Sequence, residues 1–260
     1  MIVKDKTIVI TGVGPGLGRE IAACSLRDGA NVVIGARTES KLAEIAKELD
    51  PSGQSLTYRA TDITDVAACE ALMDLAVERF GGVDAVVQVA AMDALFGTLQ
   101  STSTEDWQTS MNVNVIGTLQ LIRSAVPHLQ KRGGGSVVLI GSQSMWQPPP
   151  MPQIAYASAK GALVSAMLHM THELGPDKIR CNMVIPTWMW GPPVEAYVKW
   201  QAGERKVSQD AIKAEITSNM PLGEIPADED VAEAVVFFCS DRSRMITGQS
   251  LLVNSGELLR

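Results

Sequence analysis

The sequence predicts an α/β fold in which a doubly wound parallel sheet of about seven strands carries helices on both faces, in a single domain. Three observations predict it. Short β-branched runs alternate with longer segments of helical period from one end of the chain to the other, the pattern of repeated strand–helix–strand units. The strand-like runs are continuously apolar, as strands buried on both faces are. Finally, 260 residues at 46% hydrophobic and 20% charged support a sizeable core, and no Pro-, Gly- or Ser-rich linker divides it in two.

Taken in order, the strands fall at residues 7–11, 31–36, 55–61, 83–89, 135–141, 179–185 and 250–253. The helices fall at 17–28, 39–49, 66–80, 105–129, 154–174 and 229–240. The first strand runs directly into a glycine-rich turn and the first helix. The helix at 154–174 has apolar or small residues on almost every side (Ala155, Ala159, Gly161, Ala162, Leu163, Val164, Ala166, Met167, Leu168), so it is expected to be covered on two sides. One side suits the sheet and the other a second subunit, which predicts a homodimer or homotetramer. The last helix opens with acids, Glu229 to Glu233, read as a solvated start favoured by the helix dipole. Two stretches are irregular: a Pro-rich turn at 148–152 and the segment 186–226. The second, at about 187–226, is expected to be a mobile substrate flap, since long loops in compact domains are usually functional.

Charge narrows the function. Twenty-two Lys and Arg against 29 Asp and Glu give a net charge of −7 and a pI near 5.0. Such a chain, without a basic cluster, is a poor partner for nucleic acid or an anionic membrane. No apolar stretch reaches the ~20 residues of a spanning helix, and no signal peptide is visible. Cys24, Cys69, Cys181 and Cys239 are scattered, without a Cys-x-x-Cys pair, and are expected to be reduced thiols in the cytoplasm. His169 and His172 lack a third ligand and the His-Glu-x-x-His pattern, so no metal site is expected.

The glycine-rich turn reads Thr11-Gly12-Val13-Gly14-Pro15-Gly16-Leu17-Gly18. Between the first strand and first helix of such a unit, glycines let the backbone approach a diphosphate lying at the helix N-terminus. Gly12, Gly14, Gly16, Leu17 and Gly18 are therefore candidate dinucleotide contacts on a Rossmann-type sheet; the plain alternative is a tight turn. The second strand ends in Ala36-Arg37 where an acid would select a free ribose 2′-hydroxyl. Arg37 suits a 2′-phosphate, which predicts a preference for NADP(H) with NAD(H) possible. The competing role for Arg37 is a solvated charge stacked on adenine. Asp62, after the third strand, either accepts from the adenine amino group or closes a turn.

The sharpest signal is Tyr156-Ala157-Ser158-Ala159-Lys160. Four residues apart on a helix, the phenol and ammonium share one face. A cation beside a tyrosine, joined by an oxidised nicotinamide, favours phenolate and lowers a pKa that is normally ~10. Such a tyrosine serves as acid toward a carbonyl oxygen or base toward an alcohol.

With the glycine turn, this pair resembles the short-chain dehydrogenase/reductase family in its short single-domain form, over essentially the whole chain. The resemblance includes Asp62, Asn112-Val113-Asn114, Ser142 after the fifth strand, and Val253-Asn254-Ser255-Gly256. It implies an oxidoreductase acting on a small-molecule carbonyl or secondary alcohol. It assigns Tyr156 as acid/base and Ser142 as hydrogen-bond partner of the substrate oxygen, with Ser144 the rival. Lys160 would lower the tyrosine pKa and hold the nicotinamide ribose. Asn114 would position a relay water, against a merely structural kink with Asn112 as the rival in register. Cofactor contacts extend to Ile63, Ala90, Tyr156 itself, Pro186 and the backbone of Met189. Three departures stand out: Gln88-Val89-Ala90-Ala91 replaces the usual Asn-Asn-Ala-Gly, Pro186-Thr187 replaces Pro-Gly, and Gly191 stands where a threonine is common.

Trp188, Met189, Trp190, Tyr197 and Trp200 crowd the flap, with Trp146 beyond Ser142. Rings of this kind line apolar pockets, which predicts a bulky steroid-like or lipid-derived ketone or alcohol; the alternative is that they only pack the flap onto the sheet. From another functional class comes a non-catalytic dinucleotide-binding regulator on the same fold. An NAD-linked alcohol dehydrogenase is the other enzyme to consider.

Overall fold

Strand β1 (Thr7–Thr11) alternates its side chains between two layers. Ile8 and Ile10 enter one hydrophobic cluster of 26 buried residues, while Val9 enters a second of 25. The same period of two recurs in β2 (Asn31–Ala36), where Val32 and Ile34 join the first cluster and Val33 the second. A computed structural model describing residues 1–260 shows what covers each face. Helices α1 (Leu17–Arg27), α2 (Glu39–Leu49) and α9 (Asp228–Cys239) supply the first cluster. Helices α3 (Val66–Phe80), α5 (Thr118–Lys131) and α6 (Ile154–Leu174) supply the second.

The remaining strands are β3 (Leu56–Ala60), β4 (Ala85–Gln88), β5 (Gly135–Ile140), β6 (Ile179–Pro186) and β7 (Ser250–Val253). The seven form one parallel sheet in the order β3-β2-β1-β4-β5-β6-β7. The winding reverses between β1 and β4, which opens a crevice at their carboxyl ends. Thr11 pairs with both Gly35 and Gln88, so the glycine turn, the end of β2 and the end of β4 meet there. The sheet and its covering helices match the predicted fold class.

Two predicted elements change. The expected helix at 105–129 is α4 (Thr104–Met111), a π-helical turn at Asn112–Gly117, and α5. Ser103 starts α4 with a capping box, its hydroxyl accepting from Asp106 N at 3.0 Å. The segment expected to be irregular holds α7 (Pro192–Arg205) and α8 (Gln209–Thr217). Pro192 and Pro193 read as loop formers, yet proline suits the first turn of a helix, where its missing N–H is not needed. Val198, Ala202 and Ile212 form a small cluster between α7 and α8, and Arg205 grips Glu215 through two bonds of 2.6 and 2.7 Å.

Candidate active site

The glycines of the first turn are there for space. Gly12 has φ +83°, and a Cβ on it would overlap the backbone nitrogen of Ala90, so the end of β1 lies directly against the end of β4. A Cβ on Gly18 would stand 2.7 Å from the Gly12 carbonyl oxygen. Gly14 has open space, with nothing within 4 Å of a Cβ. Gly16, at φ +132°, begins α1 without a capping side chain, so the first-turn N–H groups of α1 have no side-chain acceptor. Pro15, Gly16 and Leu17 line a cavity of about 440 Å³. Uncapped donors at an open helix N-terminus fit the diphosphate of a dinucleotide.

On the adenosine side, Arg37 is exposed beyond the end of β2. Asp62 Oδ1 accepts from Thr64 N at 2.9 Å and from Thr64 Oγ1 at 2.7 Å, which is the turn role. These bonds, with the Arg37 charge nearby, hold its carboxyl below the usual range. Ile63 is buried against Gly117, where a Cβ would come within 3.0 Å of Ile63 Cγ1. At the first departure, Gln88 Nε2 donates to the Ala90 carbonyl at 2.6 Å, so this side chain holds the 88–91 turn from within.

At the reactive end, Ser142, Tyr156 and Lys160 line the same cavity as Gly16 and Leu17. Lys160 is 1% exposed, and its Nζ donates to the Ile140 carbonyl at 2.7 Å. That nitrogen lies 5.6 Å from the centre of the Tyr156 ring. Burial lowers the Lys160 pKa to about 8, with Asp93 opposing. Burial pushes the Tyr156 phenol up, Asp93 adds to the rise, and a hydrogen bond with Ser142 pulls it back. Ser142 Oγ lies 2.9 Å from Ser144 Oγ, so the two rival serines are one hydrogen-bonded pair.

Asn114 is fully buried in the π-helical turn. Its Oδ1 accepts from Met92 N at 2.9 Å, and its Nδ2 donates to Met92 O at 3.0 Å and to Ser110 Oγ at 3.2 Å. The Asn114 carbonyl accepts from Thr118 Oγ1 at 2.7 Å. Asn114 thus clamps the loop after β4 to the wide turn, a feature frequent at functional sites.

On the substrate side, Pro186, Trp188, Met189 and Tyr197 line the cavity together with Pro148, Pro149 and Pro150. The other predicted rings lie elsewhere. Trp190 sits under Lys213, whose Nζ is 4.0 Å from the ring centre. Trp146 sits under Arg260 at 4.6 Å, and Trp200 is 57% exposed. Trp146 and Trp190 each lie under a cation, and Trp200 packs on Tyr197 with ring centres 6.2 Å apart, contacts that residue spacing does not reveal.

Several site residues were missed. Asp93 and Asp228 line the cavity, and only their placement distinguishes them from solvated acids. Gln143 is held by Asn254 Nδ2 at 2.7 Å, which ties the segment after β7 to the turn after Ser142. Glu257 bonds to Thr187. The acids at 229–233 are exposed, as expected, and Glu229 and Glu233 also pair with Arg27 of α1 at 3.3 and 2.5 Å. Cys24 lies beside those glutamates, and all four cysteines are free and buried.

The sheet order and the open glycine turn define a doubly wound nucleotide-binding α/β protein. Residues 12–257 match the family model described as Enoyl-(Acyl carrier protein) reductase. The chain is 30% identical to Dehydrogenase/reductase SDR family member 4 of Mus musculus, over 97% of this chain and 87% of that protein. It is also 30% identical to the L-rhamnose 1-dehydrogenase (NAD(P)(+)) of Azotobacter vinelandii, over 98% of each. A solved short-chain type dehydrogenase/reductase from Mycobacterium ulcerans superposes with a TM-score of 0.89 at 28% identity, covering 100% of this chain and 92% of that one. The chain belongs to the short-chain dehydrogenase/reductase family and is an NAD(P)-dependent oxidoreductase acting on a CH–OH/C=O pair. No helix is long and apolar enough to cross a membrane.

Proposed function

We propose that this oxidoreductase prefers NADP(H) and interconverts a bulky apolar ketone, steroid-like or lipid-derived, with its secondary alcohol. The observation that carries the reading is the convergence of Ser142, Tyr156 and Lys160 with the open N-terminus of α1 in one cavity. Gly12, Gly14, Gly16, Leu17 and Gly18 would hold the diphosphate, and Pro186 and Met189 the nicotinamide end. When bound, the cofactor supplies or accepts the hydride. Ser142 and Tyr156 hold the substrate oxygen, and the phenol, kept protonated by burial, gives its proton to the developing alkoxide. Lys160 anchors the nicotinamide ribose and, beside a bound cation, draws the phenol back down. Asn114 positions a relay water by fixing the wide turn. The 187–226 segment acts as the substrate flap, with Trp188 and Tyr197 against the apolar body of the ketone.

We infer a homodimer or homotetramer, with the outer face of α6, where Leu168 is 48% exposed, set against a second copy. We also infer a cytoplasmic location, from four free thiols and no disulfide.

The test is a parallel fluorescence titration with NADPH and NADH, followed by a ketone screen. NADPH is expected to bind about tenfold tighter, ~1.4 kcal/mol, and Arg37→Ala is expected to erase that difference. Equal or tighter NADH binding overturns the NADP(H) preference. Brisk turnover confined to small polar carbonyls overturns the apolar substrate.

A further inference from the structure

Asp228 is the first residue of α9, and it is 8% exposed. Its carboxylate has no hydrogen-bond or ion-pair partner in the protein and faces the cavity. The side chain is wedged between two glycines. A Cβ on Gly191 would come within 3.0 Å of Asp228 Cγ and closer still to Oδ2, and a Cβ on Gly16 would lie 3.4 Å from Oδ2. Gly16 is the uncapped start of α1, and both Gly16 and Asp228 line the cavity. The lone carboxyl group is therefore aimed at the place where the first-turn N–H groups of α1 would receive a diphosphate.

A carboxylate there is the wrong partner for a diphosphate, because two anions in a partly dry cleft repel strongly. A neutral carboxylic acid is the right one, because its O–H donates to a phosphate oxygen. We infer that Asp228 is a cofactor-binding residue that engages the diphosphate as the neutral acid, so that binding the dinucleotide takes up one proton from solvent. The inference rests on the dinucleotide lying along the turn at 12–18.

The surroundings favour the neutral form. Burial, and then Glu20 on α1, raise the Asp228 pKa to about 6. No cationic side chain pairs with Asp228. Arg19 of α1 is tied to Glu20 and Glu48, and Arg27 to Asp28, Glu229 and Glu233. Within α9, Asp230 accepts from Ala227 N at 2.8 Å. The segment 186–191 has no ionisable side chain, and Glu257, across the cavity, bonds to Thr187. Lys6 and Arg180 sit at the far end of α9, on Asp241 and on the carbonyls of Phe238 and Ser240.

The experiment is a fluorescence titration of the full chain with NADPH and with NADH between pH 6.5 and 8. Calorimetry in buffers of different ionisation enthalpy runs alongside it. Wild-type Kd is expected to weaken about tenfold over that range relative to Asp228→Asn, whose amide donates at every pH. The comparison with Asp228→Asn also removes the titration of the NADPH 2′-phosphate, near pH ~6, which is common to both proteins. Calorimetry with NADH is expected to show close to one proton taken up by wild type and none by Asp228→Asn. Asp228→Ala, without a donor, is expected to bind several-fold more weakly than Asp228→Asn and without pH dependence beyond that of the ligand. Parallel pH curves for wild type and Asp228→Asn, or no proton uptake, overturn the inference and leave the dinucleotide site standing. Failure of both dinucleotides to bind wild type at any pH overturns both.

Discussion

Around Tyr156 and Lys160 the supporting side chains are buried and bonded. Lys160 donates to Ile140, Asn114 clamps Met92 and Ser110, and Asn254 holds Gln143. The segment proposed as the flap is built otherwise: its own cluster is Val198, Ala202 and Ile212, against clusters of 26 and 25 residues on the two faces of the sheet. The contrast separates two tasks. Proton transfer needs groups fixed to within a fraction of an ångström, and a polar network achieves that. Substrate choice tolerates a lid that opens locally at low cost, because little apolar area is lost when it does.

The largest expected effect comes from breaking the fixed side. Tyr156→Phe deletes one hydroxyl and is expected to lower kcat by 10² to 10⁴-fold, with NADPH affinity unchanged within a factor of two and no loss of melting temperature. Steady-state kinetics beside a binding titration check this. A kcat within tenfold of wild type would mean that the proton travels by another route.

The flap answers to a different readout. Ile212 is 2% exposed, and truncating a buried isoleucine usually costs 2–5 kcal/mol. If α7 and α8 form a local unit, Ile212→Ala is expected to raise KM about tenfold while the main melting transition moves by no more than ~2 °C. A cooperative drop of the whole transition with KM unchanged would show that the flap is part of the main fold, and the contrast between the two sides would fail.

The same contrast explains what could be read from the chain. The sheet was legible because its strands are apolar runs bounded by helices, and the glycine turn because Gly12 and Gly18 stand where no Cβ fits. Tyr156 and Lys160 were legible because four residues on a helix fix a shared face. The flap helices were not, since two prolines and mixed polarity hide them. The acids facing the cavity were not legible either. Asp93 and Asp228 are two among 29 acidic residues, and only tertiary contact sets them apart. The placing of the Lys160 ammonium was hidden for a related reason: spacing brings it near the phenol, but the Ile140 carbonyl, 20 residues back, decides where it points.

Asp93 lies between the two sides, exposed on the loop after β4 yet lining the cavity. Its negative charge raises both Tyr156 and Lys160. Asp93→Asn therefore lowers both pKa values, and the sign is the same in either direction of reaction. Reduction needs the protonated phenol and fails as pH rises through the tyrosine pKa, while oxidation needs the phenolate and begins there. Both limbs of the pH–rate profile are expected to move to lower pH, with kcat at the optimum within about threefold of wild type. This effect is the smallest of the set because an exposed charge is screened by water and salt. That screening gives a second check: raising ionic strength should move the wild-type limb toward that of Asp93→Asn and leave the variant nearly still. A limb that stays put in Asp93→Asn would confine control of the proton to the buried network, whereas one that moves to higher pH would give the Asp93 charge a role opposite to electrostatic support of the protonated phenol.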